Sequence, residues 1–352
     1  MNKDFDFSDF LLKFYSRSEW RRPKVILNNL IGRRTVSNLF WGMQYGLLPF
    51  FDLFPKLNNE NFDHFQKKFK QDGFIEVQDK EVRLTDTGKL RKETNLSKNF
   101  QFQFKGIGLY TNIETIKDCL NLTVQIISEF AFKNNRYYPL QYSGRVMNFC
   151  KRWFRQNKSP ELPNKFQQEL SEFLKTLDNK SADAFVASFV GHNSFGLTDH
   201  QIKTDLSLNS FEWKIIDLAL MTEFIWWASD DNSQTHPLCQ NLVTPWLADS
   251  PLSMSSEVTY QLFLNNFSIE KIAQKRHIKV NTVREHLLEA AILIKDFPFQ
   301  SFLSAPLPTN LHNYLQNNPV LQWQFSVVNE LVPEFSFFEF RLLQIREDRT
   351  QK

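Results

Sequence analysis

Apolar residues recur at helical spacing through most of this 352-residue chain, and the clearest run lies at residues 256–294. Ile269, Ile272 and Ala273 follow one another at i, i+3 and i+4, which places them on one face of a helix, while charged and amide residues take the opposite face. Ser268 directly precedes them and can accept a hydrogen bond from a free N–H of the first turn. The pattern predicts a short helix that begins after Ser268.

A tight turn and a further helix follow this short helix. His277-Ile278-Lys279 form the predicted turn, and the next helix opens at Asn281 or Thr282. Its predicted buried stripe is Val283, Leu287, Ala290 and Ile294. With a lead-in helix that carries Val258, Leu262 and Phe263 on one face, this arrangement is typical of a helix-turn-helix. An amphipathic helical hairpin that only packs within a larger helical domain is the alternative.

Residues 1–100 combine helical and strand periodicity. Two helices are predicted over residues 5–31, a third over about 35–45, and a fourth from the stripe of Phe62, Phe65 and Phe69, ended by Gly73. Residues 74–77 and 81–84 then alternate like two strands of a hairpin. A helix followed by a hairpin is typical of a winged-helix domain, which binds either nucleic acid or another protein.

The whole pattern predicts a mainly α, multi-domain protein. The predicted segments are a winged-helix-like domain with one β-hairpin wing (1–100), a central helical domain (107–235), a helix-turn-helix domain (250–298) and a hydrophobic C-terminal tail (299–352). Polar or proline-containing connectors are expected at 94–106 and 230–255. The tail must dock on the helix-turn-helix, on the central domain or on another chain, because it holds a dense cluster of apolar residues.

Two stretches of the central domain allow more than one interpretation. A basic and aromatic run spans residues 136–155; such a run can stack bases and hold phosphates, but a core-facing aromatic stripe with a solvated basic edge is the favoured interpretation. Residues 188–220 resemble a second helix-turn-helix, in which Thr198 caps a helix and Leu206-Ser207 make the corner. Because its surroundings are acidic, we expect it to pack or to bind a partner protein.

Charge is distributed unevenly along the chain. Residues 1–165 hold 28 Lys and Arg against 17 Asp and Glu, whereas the remainder holds 14 against 22. A polyanion is therefore attracted to the first half, unless its lysines serve only solubility. Three widely spaced cysteines, no apolar run of membrane-spanning length and an N-terminus unlike a signal peptide predict a cytoplasmic protein with reduced thiols and no membrane contact.

The helix-turn-helix of LuxR and sigma-factor proteins resembles the run SIEKIAQKRHIKVNTVREHL. Together with the lead-in TYQLFLNNFSIEKIA, it resembles more closely the helix-turn-helix at the C-terminus of some RecQ-family helicases and of YpbB proteins. The segments GRRTVSNLFWGMQYGLLPFF and GHNSFGLTDHQI are also similar to YpbB proteins. The chain departs from many helix-turn-helix turns at His277, where they carry Gly. The resemblance implies a non-enzymatic accessory protein of nucleic-acid transactions that acts with a RecQ-like helicase.

If the unit binds DNA, its last helix enters the major groove. The predicted base-facing residues are Asn281, Thr282, Arg284, Glu285 and Leu288, and the predicted phosphate contacts are Lys271, Lys275, Arg276 and Lys279. Candidate phosphate contacts of the first 100 residues are Arg33, Arg34, Lys67, Lys68, Lys70, Lys80 and Arg83. Five basic and three acidic residues within 259–289 predict weak, salt-sensitive binding by this unit alone.

Recognisable catalytic motifs are not found in the sequence. TDTGKL lacks the spacing of a phosphate-binding loop, and GHNSFG lacks that of a nucleophile elbow. His236 and Cys239 could supply two metal ligands, but no second pair completes a tetrahedral site. We therefore expect no enzyme activity, no cofactor and no metal.

Expected partners are DNA, a RecQ-like helicase or another protein, and a second copy of the chain. The alternatives are a protein-interaction adaptor without DNA binding and a transcription regulator.

Overall fold

A computed structural model of the chain describes residues 6–98, 104–230, 235–303 and 306–351, and within them the protein is mainly helical. The predicted fold class is confirmed. In chain order the elements are α1 (Phe7–Leu12), α2 (Pro23–Leu30), α3 (Val36–Gln44), α4 (Asn59–Gln71), β1 (Ile75–Gln78), β2 (Glu81–Leu84), α5 (Asp86–Lys98), α6 (Ile113–Ala131), α7 (Gly144–Asn157), α8 (Leu162–Leu174), α9 (Asn179–Val186), α10 (Asp199–Asp205), α11 (Ser210–Ala228), α12 (Pro237–Val243), α13 (Met254–Leu264), α14 (Ile269–Arg276), α15 (Val280–Leu293), α16 (Thr309–Asn317), α17 (Phe325–Leu331) and α18 (Phe337–Gln351). Each predicted connector lies partly outside the described residues.

Local sequence explains the N-terminal elements. Pro23 lies in the first turn of α2, where its missing N–H costs no hydrogen bond. Thr35 caps α3 by accepting a hydrogen bond from Asn38 N at 3.3 Å. The helices α2 and α3 cross closely at Gly42, where an added Cβ would lie 2.4 Å from Asn29 Nδ2. The predicted hairpin is confirmed as β1 and β2, which form a two-stranded sheet.

The chain forms two compact units, each assembled from segments that are distant in sequence. Unit 1 comprises Met1–Glu19, Phe65–Val77 and Arg83–Ala248, and unit 2 comprises Trp20–His64, Gln78–Val82 and Asp249–Lys352. These units do not follow the four continuous segments predicted above, because α3 packs against α15 whereas α1 packs against α5. The four segments stay a prediction.

Unit 1 is built around the long helices α6 and α11. An aromatic cluster that includes Phe173, Phe185 and Phe224 fills its core. The buried carboxylate of Glu169 accepts hydrogen bonds from the backbone N–H groups of Leu238 and Cys239 at 3.1 and 2.8 Å. All three cysteines are buried and free, as predicted. No helix of the described chain is long and apolar enough to cross a membrane.

Unit 2 is organised around α15, which packs against α3, α13, α14 and α18. The hydrophobic tail docks within the chain: α16, α17 and α18 enclose a core that includes Leu311, Val328 and Leu343. Arg349 on α18 donates a hydrogen bond to the carbonyl of Ala291 on α15 at 2.9 Å. The helix-turn-helix and the tail therefore share one compact unit.

Candidate nucleic-acid interface

The helix-turn-helix consists of α13, α14 and α15, and local chemistry sets both of its turns. Ser268 caps α14 by accepting from Lys271 N at 3.3 Å, as predicted. His277 adopts the left-handed conformation (φ 53°, ψ 42°), which explains why many proteins place Gly here. The N–H of Ile278 then donates to the carbonyl of Ala273 at 3.0 Å and closes the end of α14. The predicted turn is confirmed, and α15 begins at Val280.

The buried face of the unit is largely as predicted on α14 and α15 but differs on α13. Ile272, Val283 and Leu287 are fully buried. On α13, however, Val258 is 51% exposed, and the buried residues are Ser256, Thr259 and Tyr260. This helix packs through hydroxyl groups because α15 presents polar partners to it.

The first polar partner is Glu289, which is buried with 6% of its surface exposed. Its carboxylate accepts hydrogen bonds from Ser253 N and Ser256 Oγ, both at 2.8 Å. Arg34 Nη1 pairs with Glu289 Oε1 at 3.1 Å and also donates to the carbonyl of Pro251. The Arg34 guanidinium thus neutralises a buried carboxylate, an internal role that the sequence did not indicate, and its contact with phosphate stays a prediction.

Arg276 is the second predicted phosphate contact with an internal role. Its Nη1 donates to Ser255 O at 2.6 Å and to Thr259 Oγ1, and its Nη2 donates to Ser255 Oγ at 3.0 Å. Nη1 also lies 3.3 Å from Nδ1 of His286. Burial, followed by the charge of Arg276, lowers the pKa of His286. These contacts tie α14 to α13 and α15, so Arg276 has a structural role, and its contact with phosphate stays a prediction.

The accessible face of α15 is confined to its first two turns. Asn281 and Glu285 are exposed, whereas Thr282 and Arg284 are half-buried. Arg284 Nη1 lies 3.4 Å from Asn281 Oδ1. Leu288 is only 6% exposed, so the prediction that it faces bases is wrong: its part of α15 is turned into the core of unit 2.

Three predicted phosphate contacts of the helix-turn-helix, Lys271, Lys275 and Lys279, are exposed. Lys271 and Lys275 lie on α14, and Lys279 directly precedes α15. The ammonium group of Lys275 lies 4.7 Å from the centre of the Phe267 ring. These lysines lie on the elements that flank the accessible part of α15.

The candidate contacts of the first 100 residues do not lie in one unit. Unit 2 holds Arg33, Arg34 and Lys80, and unit 1 holds Lys67, Lys68, Lys70 and Arg83. Arg33, Lys67, Lys70 and Lys80 are exposed. Lys68 lies 3.7 Å from a carboxylate oxygen of Asp6, and Arg83 pairs with Glu76 at 2.5 Å. Arg83 therefore has an internal partner that the sequence did not indicate.

Other motifs noted in the sequence have structural roles. GHNSFG forms a turn closed by paired backbone hydrogen bonds between Gly191 and Ser194. The ring of His236 stacks on Trp227 with the ring centres 4.0 Å apart. Across the described ranges, no three His, Cys, Asp or Glu residues form a group that could hold a metal ion.

Comparison with known proteins supports the helix-turn-helix assignment. The helix-turn-helix domain family matches residues 255–344, which include both α13–α15 and most of the tail. The chain is also similar to Protein YpbB of Bacillus subtilis (strain 168), with 24% identity over 233 residues. That match covers 63% of this chain and 62% of the relative's length. No solved structure matches the chain significantly.

Proposed function

We propose that this chain is a non-enzymatic accessory protein of DNA transactions that contacts duplex DNA through α14 and α15. The observation that carries the proposal is the accessible polar face formed by Asn281, Thr282, Arg284 and Glu285 at the start of α15. In helix-turn-helix proteins the helix after the turn, which is α15 here, lies in the major groove, and its N-terminal residues contact base edges. The burial of Leu288 limits the contact to this end of α15.

Each side chain of the face has a chemical role in this proposal. Arg284 can donate two hydrogen bonds to guanine O6 and N7, and Asn281 can pair with adenine N6 and N7. Lys271, Lys275 and Lys279 contact phosphates on either side of the groove. Three phosphate contacts give weak binding, with a slope of log K against log salt concentration of about −2.7.

A second contact and a protein partner complete the proposal. We propose that exposed cations of the first 100 residues (Arg33, Lys67, Lys70 and Lys80) add phosphate contacts. The resemblance to RecQ-type helix-turn-helix domains supports a RecQ-like helicase as the protein partner. The alternative is an adaptor that binds a protein partner without contacting DNA.

Charge reversal of Lys271, Lys275 and Lys279 to Glu tests the proposal, and Arg276 is left intact because it holds the motif together. We expect fluorescence anisotropy to show at least about a tenfold loss of duplex affinity, since three phosphate contacts are removed. Reversal of the exposed Lys56, Lys180 and Lys295 to Glu is the control, with the same change of net charge. Equal losses in both variants would mean that α14 and α15 make no specific contact. Retained capture of a RecQ-like helicase by a chain that binds no DNA would favour the adaptor.

A further inference from the structure

Helix α7, in unit 1, has an unusual charge distribution. Five cations lie on it or at its C-cap, and no acidic residue lies within Gly144–Lys158; the five are Arg145, Lys151, Arg152, Arg155 and Lys158. All five are exposed, and within the described ranges none lies within salt-bridge distance of a carboxylate. At 100° per residue they follow one side of the helix, opposite the buried Val146, Cys150 and Trp153.

This arrangement destabilises an isolated helix. Lys151 and Arg155 are like charges at i, i+4, and Arg152 and Arg155 are like charges at i, i+3. Arg145 lies in the first turn, where the helix dipole disfavours a cation. Solubility does not require all five cations on one helix face. An anionic ligand would offset the repulsion.

Two grooves run beside the C-terminal half of α7. One, of about 350 Å³, is lined by Phe149, Arg152 and Trp153. The other, of about 500 Å³, is lined at its far end by Lys165 and by the carboxylates of Glu169 and Glu172. The two grooves share three amide side chains, those of Gln156, Asn157 and Asn241. Amide groups both donate and accept hydrogen bonds, as base edges do.

Two aromatic side chains lie on α7 or shortly before it in the chain: one is buried and the other is exposed. Trp153 is buried, and its indole Nε1–H has no hydrogen-bond partner among the described residues. Tyr138 is 98% exposed and precedes the N-cap residue Ser143 by five positions. An aromatic ring that is open to solvent, a few residues before a basic helix in the chain, is a platform on which a base can stack.

We infer that α7 and its grooves bind single-stranded nucleic acid. The cations contact the phosphates of one strand, and the amide groups contact the edges of bases that enter the grooves. A duplex cannot insert a base into these grooves, because its bases are stacked and paired, whereas the bases of a single strand can be splayed out. An acidic protein segment would pair with the cations but would leave the amide-lined grooves unused. This site lies in unit 1 and is independent of the duplex contact proposed for α15.

The full chain carrying Arg152→Glu and Arg155→Glu tests the inference. The probes are a labelled oligothymidine, an oligouridine of the same length and a duplex, and Lys56→Glu with Lys180→Glu is the control. We expect the first pair of substitutions to weaken oligothymidine binding at least about tenfold and to leave duplex binding unchanged. The control should retain both activities. Tighter binding of the oligouridine would identify RNA as the source of the single strand, and tighter binding of the oligothymidine would identify DNA.

A milder pair, Gln156→Ala with Asn241→Ala, keeps the charge and tests the grooves themselves. We expect it to weaken single-strand binding several-fold, because hydrogen bonds to base edges are lost. Unchanged oligothymidine affinity in the charge-reversed chain, with an unchanged circular dichroism spectrum, would overturn the inference. Two results together would overturn the inference in favour of an acidic protein partner. They are displacement of the oligothymidine by polyglutamate at equal charge concentration, and unchanged oligothymidine binding in the chain with Gln156→Ala and Asn241→Ala. If only the chain with Lys271, Lys275 and Lys279 reversed loses duplex binding, the single-strand site on α7 is distinct from the duplex site proposed for α14 and α15.

Discussion

At the scale of single residues, burial and a neighbouring cation disfavour protonation of His286 inside the helix-turn-helix. Thr259 Oγ1 lies 2.7 Å from its Nδ1, and Arg276 donates to Thr259 and lies close to the same ring nitrogen. Burial and the charge of Arg276 lower the pKa of His286, against the weaker opposite effect of Glu289 and Glu285.

The lowered pKa predicts a pH dependence of stability. As pH falls below about 6.5, the unfolded chain binds a proton at His286 that the folded chain resists, so the free energy of unfolding falls. His286→Gln should remove this part of the dependence, whereas the exposed His312→Gln should keep it. Urea unfolding at about pH 7.5 and about pH 5.5 measures the difference. An identical pH dependence in the wild type and in His286→Gln would contradict this account.

At the scale of elements, Glu289 joins α13, α15 and the segment that holds Arg34. Glu289→Gln keeps the shape of the side chain but removes the carboxylate charge that pairs with the partly buried Arg34 at 3.1 Å. We expect a loss of about 3–5 kcal/mol in the free energy of unfolding, measured by urea denaturation. Glu285→Gln, on the exposed face of the same helix, is the control and should change stability by less than about 0.5 kcal/mol. A similar small effect of both substitutions would mean that the ion pair does not hold these elements together.

Elements that are fixed by local chemistry were predictable from the sequence, whereas the distant segments of the chain that contact them were not. The cap at Ser268, the turn at 277–279 and the hairpin after Gly73 follow from nearby residues. The internal roles of Arg34 and Arg276 and the burial of Leu288 depend on segments that meet only in the folded chain. The spacing of Asn281, Glu285 and Leu288 indicates one helix face, but it cannot show where other helices begin to cover that face.

At the scale of the whole molecule, the charge imbalance between the two halves of the sequence is only a coarse guide. Unit 2 combines α2 and α3 from the basic half with α13–α18 from the acidic half. Several cations of the basic half also have internal partners, such as Arg83 with Glu76 and Arg91 with Asp9. The number of exposed, unpaired cations near a binding face therefore predicts affinity better than net charge does.

The central claim is that α14 and α15 hold duplex DNA through three lysines, and the salt dependence of binding tests it most directly. Anisotropy titrations of a duplex across a salt series give the slope of log K against log salt concentration. We expect the magnitude of this slope to be smaller by about 2.7 in the chain that carries Lys271→Glu, Lys275→Glu and Lys279→Glu together than in the wild type. The control with Lys56, Lys180 and Lys295 reversed should keep the wild-type slope. An unchanged slope in the first variant, or no duplex binding by the wild type at any salt concentration, would contradict the account.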